Sequence, residues 1–242
     1  MSRTTPSSRS YAKESPRWVG ALWRWRALPT DPRALVVDFG GVLTTSLVES
    51  FGAFCRKEGL DPERMERVIR ASYQNLDPES PVTLIETGKI STEEFERHLA
   101  ERLSEGLERP ISPDGLVPRI LGELRPDDEM LHAVRRVRDH GILTALLSNS
   151  WDTRHYSDDL RGLLFDVVVI SGEVGMRKPE PEIYAFTAEQ LGVPPEACLF
   201  VDDHPGNVEA AERAGMKGIL HRRAEETIPE LEAMLGLSLS AT

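Results

Sequence analysis

Cysteine is scarce: Cys55 and Cys198 are the only two in 242 residues, too few and too far apart for a disulfide framework or a thiolate metal cage. Cys198 lies in the apolar run 197–201, where a buried, reduced thiol is expected. A reducing, cytoplasmic compartment follows. Long apolar runs are also lacking, since none reaches the roughly 18 residues that a membrane span requires. No transmembrane segment is expected. Basic charge is in deficit, with 29 Lys and Arg against 40 Asp and Glu and a net charge of −11 at pH 7. Such a balance argues against nucleic-acid binding by the surface as a whole. No internal repeat is visible.

What is present begins with an unusual leader. Residues 1–30 carry six basic residues against the single acid Glu14, and Trp18, Trp23 and Trp25 alternate with arginines. An export signal would need an unbroken apolar stretch of about 7–15 residues, and Arg24 and Arg26 interrupt this one. A basic, Trp-containing extension, partly disordered, that docks on the domain, a second subunit or a protein partner is the expectation.

A length of 242 residues suits a core domain with an insertion better than two full domains. Residues 31–46 and 126–242 read as that core, and 47–125 as a helical insertion. Helical spacing runs over 47–59, and Asp61-Pro62-Glu63 and Ser91-Thr92-Glu93-Glu94 are helix starts with a cap and first-turn acids. Phe51, Phe54, Met65, Tyr73 and Phe95 are expected to form the insertion's own core. From residue 127 helices and strands alternate, with strands expected at 142–147, 165–170, 198–201 and 218–220. Alternation at this spacing implies an α/β fold, a doubly wound parallel sheet in a three-layer sandwich.

The first strand, 34–37, ends in Asp38 and a Gly40-Gly41 pair that lets main chain approach a ligand. Later strands end in Ser148-Asn149, in Ser171-Gly172 followed by Arg177-Lys178, and in Asp202-Asp203. A parallel sheet gathers all these ends on one edge. A carboxylate nucleophile, a hydroxyl and amide pair, a cation and an acidic pair together suit a phosphoryl group. Asp38 would attack, the three carboxylates would require a divalent cation such as Mg²⁺, and Ser148 with Lys178 would hold phosphate.

These residues resemble the haloacid dehalogenase-like hydrolase superfamily, in the subclass with a helical cap between its first and second motifs. Asp38, Ser148, Lys178 in GMRKPEPEIY and Asp202-Asp203 in LFVDDHPGN match its four motifs in order. The first motif is most similar to that of the phosphatase domains of epoxide hydrolases. The resemblance implies that Asp38, the Gly40 carbonyl and Asp203 ligate Mg²⁺ directly and Asp202 through water. It also implies that Asn149 helps Ser148 with phosphate, that a small phosphorylated metabolite is the substrate, and that residues 47–125 are the cap.

One departure matters. The superfamily's phosphatases usually carry a second aspartate two residues after the nucleophile, as general acid and base, and Gly40 stands there instead. Such a group contributes about 10²–10⁴ in rate. His204 and Asp152 are the nearby substitutes, each read first as structural. Three alternatives follow: a catalytically weakened member that binds a partner, carbon–halogen cleavage, which the retained acidic pair disfavours, and phosphonate cleavage, for which Lys57 and Lys89 are the cap's only lysines.

Overall fold

The computed structural model describes residues 32–73, 77–152, 156 and 162–239. The leader lies outside them, and with it the expected partner or second-subunit contact. Five strands, β1 (Ala34–Val37), β2 (Leu143–Ser148), β3 (Val167–Ile170), β4 (Cys198–Asp202) and β5 (Lys217–Leu220), form one parallel sheet in the order β3-β2-β1-β4-β5. The expected three-layer α/β sandwich is what forms. All four residues of β1 are fully buried, because a central strand of a parallel sheet has both faces covered. Successive side chains alternate between those faces. Leu35 and Val37 join Leu146, Leu199 and Val201 in one core cluster with Met130, Val134 and Leu231, while Ala34 and Val36 join Ala145, Phe200, Ile183 and Ala211 in the other.

Between β1 and β2 the chain makes helices α1 (Leu47–Glu58), α2 (Pro62–Tyr73), α3 (Pro81–Glu86), α4 (Thr92–Ser104) and α5 (Leu116–Leu121), then α6 (Asp128–Asp139) against the sheet. Side-chain caps start several of them: Ser46 accepts from the Glu49 N–H, Ser80 from Thr83, Ser91 from Glu94 and Asp127 from Met130. Helices α1–α5 share a third apolar cluster containing Phe54, Met65, Phe95, Leu103 and Ile120. The entry and exit of this helical segment bond to each other, with Thr45 N donating to Arg125 O at 2.8 Å and Asp127 N to Leu43 O at 2.9 Å. Trp151, just beyond β2, enters the same cluster and stacks on Phe51 with ring centroids 6.3 Å apart.

Some expectations are corrected. Tyr73 is no part of an apolar core: it is 36% exposed, and its hydroxyl donates to the buried Glu86. The third strand starts at Val167 instead of residue 165, because the Asp166 carboxylate accepts from Thr144 N at 2.9 Å where a ladder bond would run. Beyond the last strand, and outside any expectation above, a helix over Ala224–Leu235 holds Pro229 within it and buries Leu231.

Candidate functional site

Asp38 follows β1 directly and donates its N–H to Val201 O at 2.9 Å, so it stands where chain order reverses, between β1 and β4. Open α/β sheets leave a crevice at that point. Phe39 to Leu43 then fold into a tight turn, with Leu43 N donating to Phe39 O at 2.9 Å. Gly41 has φ +81°, and a Cβ there would lie 2.3 Å from Asp203 Oδ2. Only glycine lets the two segments approach so closely. Gly40 is different: its φ lies outside the left-handed region, and the nearest atoms to a Cβ there would be those of the Leu47 side chain, at an ordinary 3.5–3.8 Å.

Lys178 unites the cluster. Its buried ammonium lies 2.8 Å from Asp38 Oδ1 and 2.7 Å from Asp202 Oδ2, with the Phe200 ring beneath it at 5.7 Å. Asp202 is also held at Oδ1 by the His204 N–H at 2.8 Å, and at both oxygens by Asn207 Nδ2 at 3.0 and 3.1 Å. Ligand atoms of Asp38, Asp202 and Asp203 lie within 4.8 Å of one another. The arithmetic of charge is uneven, with three carboxylates facing one ammonium.

Titration follows that imbalance. Burial, then the Asp202 and Asp203 charges, push Asp38 up to about 7 against the pull of Lys178. Burial and Asp202 likewise raise Asp203 to about 6. For Lys178 burial opposes the charged form, but Asp202 and Asp38 outweigh it and the ammonium is strengthened. A second cation would relieve the two raised carboxylates. Three hard oxygen donors in one partly buried cluster fit Mg²⁺, which accepts few protein ligands and keeps waters. Asp38 and Asp203 would hold it, with Asp202 behind them because both its oxygens are already engaged.

Ser148 ends β2 on the same edge. Its Oγ accepts from the Tyr156 hydroxyl at 2.9 Å, and its own hydrogen makes only a long 3.4 Å contact with Asn149 O. A phosphoryl oxygen would be a better acceptor. The Asn149 side chain is committed elsewhere: Oδ1 accepts from Lys178 N at 2.8 Å and Nδ2 donates to Lys178 O at 2.9 Å. Of the substitutes for the absent acid, His204 is exposed at the start of the helix Pro205–Arg213, and Asp152 is buried with its N–H on Ser150 Oγ at 3.1 Å. Tyr156 and Glu86 carry no signal in the sequence, since a tyrosine eight residues past Ser148 and an acid on a short helix belong to no motif. A cavity of about 280 Å³ among α2, α3 and α4, lined in part by Ser72, His98 and Arg102, includes none of the Asp38 cluster.

The profile of the haloacid dehalogenase-like (HAD) hydrolase family matches residues 32–215, most of the chain and all of this cluster. The chain belongs to that family. This HAD-family hydrolase is 28% identical over 218 residues to bifunctional epoxide hydrolase 2 of Mus musculus, an overlap of 84% of this chain and 39% of that protein. It thus spans about two-fifths of the length of the epoxide hydrolase it matches. It is 32% identical over 122 residues to the sesquiterpene phosphatase astK of Aspergillus oryzae, covering 48% of this chain and 60% of the relative. Its fold is also that of a HAD family enzyme of Bacteroides thetaiotaomicron solved with magnesium and inorganic phosphate, with TM-score 0.55, 21% identity, and coverage of 79% of this chain and 94% of that one. No helix among the described residues is long and apolar enough to cross a membrane.

Proposed function

We propose that this HAD-family hydrolase is a Mg²⁺-dependent phosphatase of small phosphorylated metabolites, working through an aspartyl-phosphate on Asp38. The observation that carries the reading is the Asp38–Asp202–Asp203 cluster with Lys178 bridging two of its members. Bound Mg²⁺ would neutralise charge between the carboxylates and the phosphoryl oxygens. Asp38 Oδ attacks phosphorus in line, the P–O ester bond breaks, and the electron pair leaves with the alcohol oxygen. Lys178 and the Ser148 hydroxyl hold the equatorial oxygens, and water then cleaves the acyl phosphate to return Asp38 and inorganic phosphate. A phosphatase named among the relatives supports the same chemistry.

Gly40 sets the substrate class. With no carboxyl at that position the departing oxygen takes its proton from water, so leaving groups of low pKa are favoured. Acyl and aryl phosphates should turn over faster than alkyl phosphates. Lys57 and Lys89 do not favour phosphonate cleavage: both are exposed, and Lys57 pairs with Glu123. The lost acid also gives weight to a second reading, a weakened family member that binds a partner.

The experiment measures inorganic phosphate released from acetyl phosphate, p-nitrophenyl phosphate and a panel of alkyl phosphates, with Mg²⁺ and with chelator. Mg²⁺-dependent release ordered by leaving group is expected. A folded protein that binds Mg²⁺ and releases no phosphate from any of them would overturn the reading in favour of the second.

A further inference from the structure

Several buried charged groups among the described residues have no part in that chemistry, and the least exposed of them is Glu86. Glu86, the last residue of α3, is 2% exposed and comes from the helical segment, not from the sheet edge. Its carboxylate collects four donors. Oε1 accepts from the Tyr73 hydroxyl at 2.7 Å and from Trp151 Nε1 at 3.3 Å. Oε2 faces Arg177 Nε at 2.9 Å and Asn149 Nδ2 at 3.3 Å.

Two of those donors grip the main chain of Lys178. Asn149 bonds both its N–H and its carbonyl, and Arg177 Nε reaches the same carbonyl at 3.3 Å. Arg177 is fixed in turn by Thr83 Oγ1 at 2.7 Å, again from α3. An amide side chain has nearly the same shape either way round, but only one orientation accepts from the Lys178 N–H. An acceptor at Glu86 Oε2 selects it. The pair is a poor device for mere adhesion, since apolar side chains of similar volume would join α3 to the sheet edge at least as well. What a carboxylate with four directed donors supplies is orientation.

We propose that Glu86 is a positioning residue for Lys178: through Asn149 and Arg177 it places the ammonium against Asp38 and Asp202, making a residue of the helical segment part of the site. The assignment of Lys178 to phosphate rests on the phosphatase reading; the placement of its ammonium does not.

The test is Glu86→Gln in the full chain, with the crystal structure of the variant and steady-state kinetics on acetyl phosphate. Expected are a Lys178 ammonium withdrawn from Asp38 or Asp202 and a kcat lowered on the order of tenfold to a hundredfold, as misplacement by about 1 Å can do. KM should change far less, and circular dichroism should show a folded protein. Lys178 unmoved, with kcat within about twofold of wild type, would overturn the proposal. Should Glu86→Gln not fold, Glu86→Asp keeps the charge and draws the carboxylate back from both Asn149 and Arg177; an unmoved ammonium in that variant overturns it equally. A wild type inactive on every phosphate ester would sink the phosphatase reading, while the lysine position still decides this one.

Discussion

Arg177 and Lys178 are consecutive and both buried, yet they end in opposite kinds of ionic cluster. Arg177 meets one carboxylate, Glu86, which is saturated by three further donors. Lys178 meets Asp38 and Asp202 with Asp203 close by, a surplus of negative charge that burial makes worse. Balanced clusters hold structure in place; unbalanced ones are kept where a ligand completes them. In this chain one backbone step separates the two, so the rigid cluster can orient the reactive one.

The contrast is broken most forcefully at Asp38, the proposed nucleophile. Asp38→Asn should lower phosphate release by at least about 10⁴-fold, because the attacking oxygen is gone. Its stability without metal should hold or rise, since Lys178 keeps Asp202 and one charge of the surplus is removed. Urea unfolding in chelator, alongside kinetics, reads both. A large loss of stability in that variant would show that the carboxylate surplus is not a strain on the fold.

On the balanced side the expectation has the opposite sign. Glu86→Gln leaves the Arg177 guanidinium buried without its counter-charge and should cost about 3–5 kcal/mol of folding stability. A loss below about 1 kcal/mol in urea would place Glu86 among exposed, solvated pairs and erase the distinction between the clusters.

The two clusters also differ in how far the sequence discloses them. Asp38, Ser148, Lys178 and Asp202-Asp203 each end an apolar run or sit a few residues beyond one, and a parallel sheet has only one edge on which such ends can meet. Strand alternation therefore discloses both the fold and the groups at its edge. Glu86 has no such logic: it closes a six-residue helix, and its partners Tyr73, Trp151 and Arg177 come from separate parts of the chain. Tyr73 even sits at helical spacing with apolar residues, so its ring reads as core while its hydroxyl serves a carboxylate. Local pattern shows which face of an element is buried, whereas directed polar contacts between elements depend on packing that pattern does not encode.

Gly40→Asp sharpens the comparison from within the unbalanced cluster. The φ of Gly40, outside the left-handed region, and the 3.5–3.8 Å approach of Leu47 leave room for a side chain, unlike Gly41. An apolar neighbour raises the pKa of a carboxyl placed there, as a general acid requires. Turnover of alkyl phosphates should rise by about 10²-fold, the lower end of what such a group supplies, with little change for acetyl phosphate. An equal gain on both substrates would mean that leaving-group protonation is not what Gly40 costs.

The smallest expected effect is the linkage between Mg²⁺ and protons. Asp38 at about 7 and Asp203 at about 6 lie above their ordinary values, so in the metal-free fold they hold protons that the unfolded chain has already released. Stability contributed by those protons is present at acid pH and lost as pH rises through 6 and 7, because the native state is the one binding more protons. Mg²⁺ takes the place of the protons and therefore stabilises more at pH 8 than at pH 5. At about ten times its dissociation constant it should add roughly 1.4 kcal/mol at pH 8. The same concentration should add almost nothing at pH 5, where the metal must displace protons to bind. Thermal unfolding at both pH values, with Mg²⁺ and with chelator, measures the difference. A shift of the same size at both pH values would mean that the surplus charge near Lys178 is not what the metal answers.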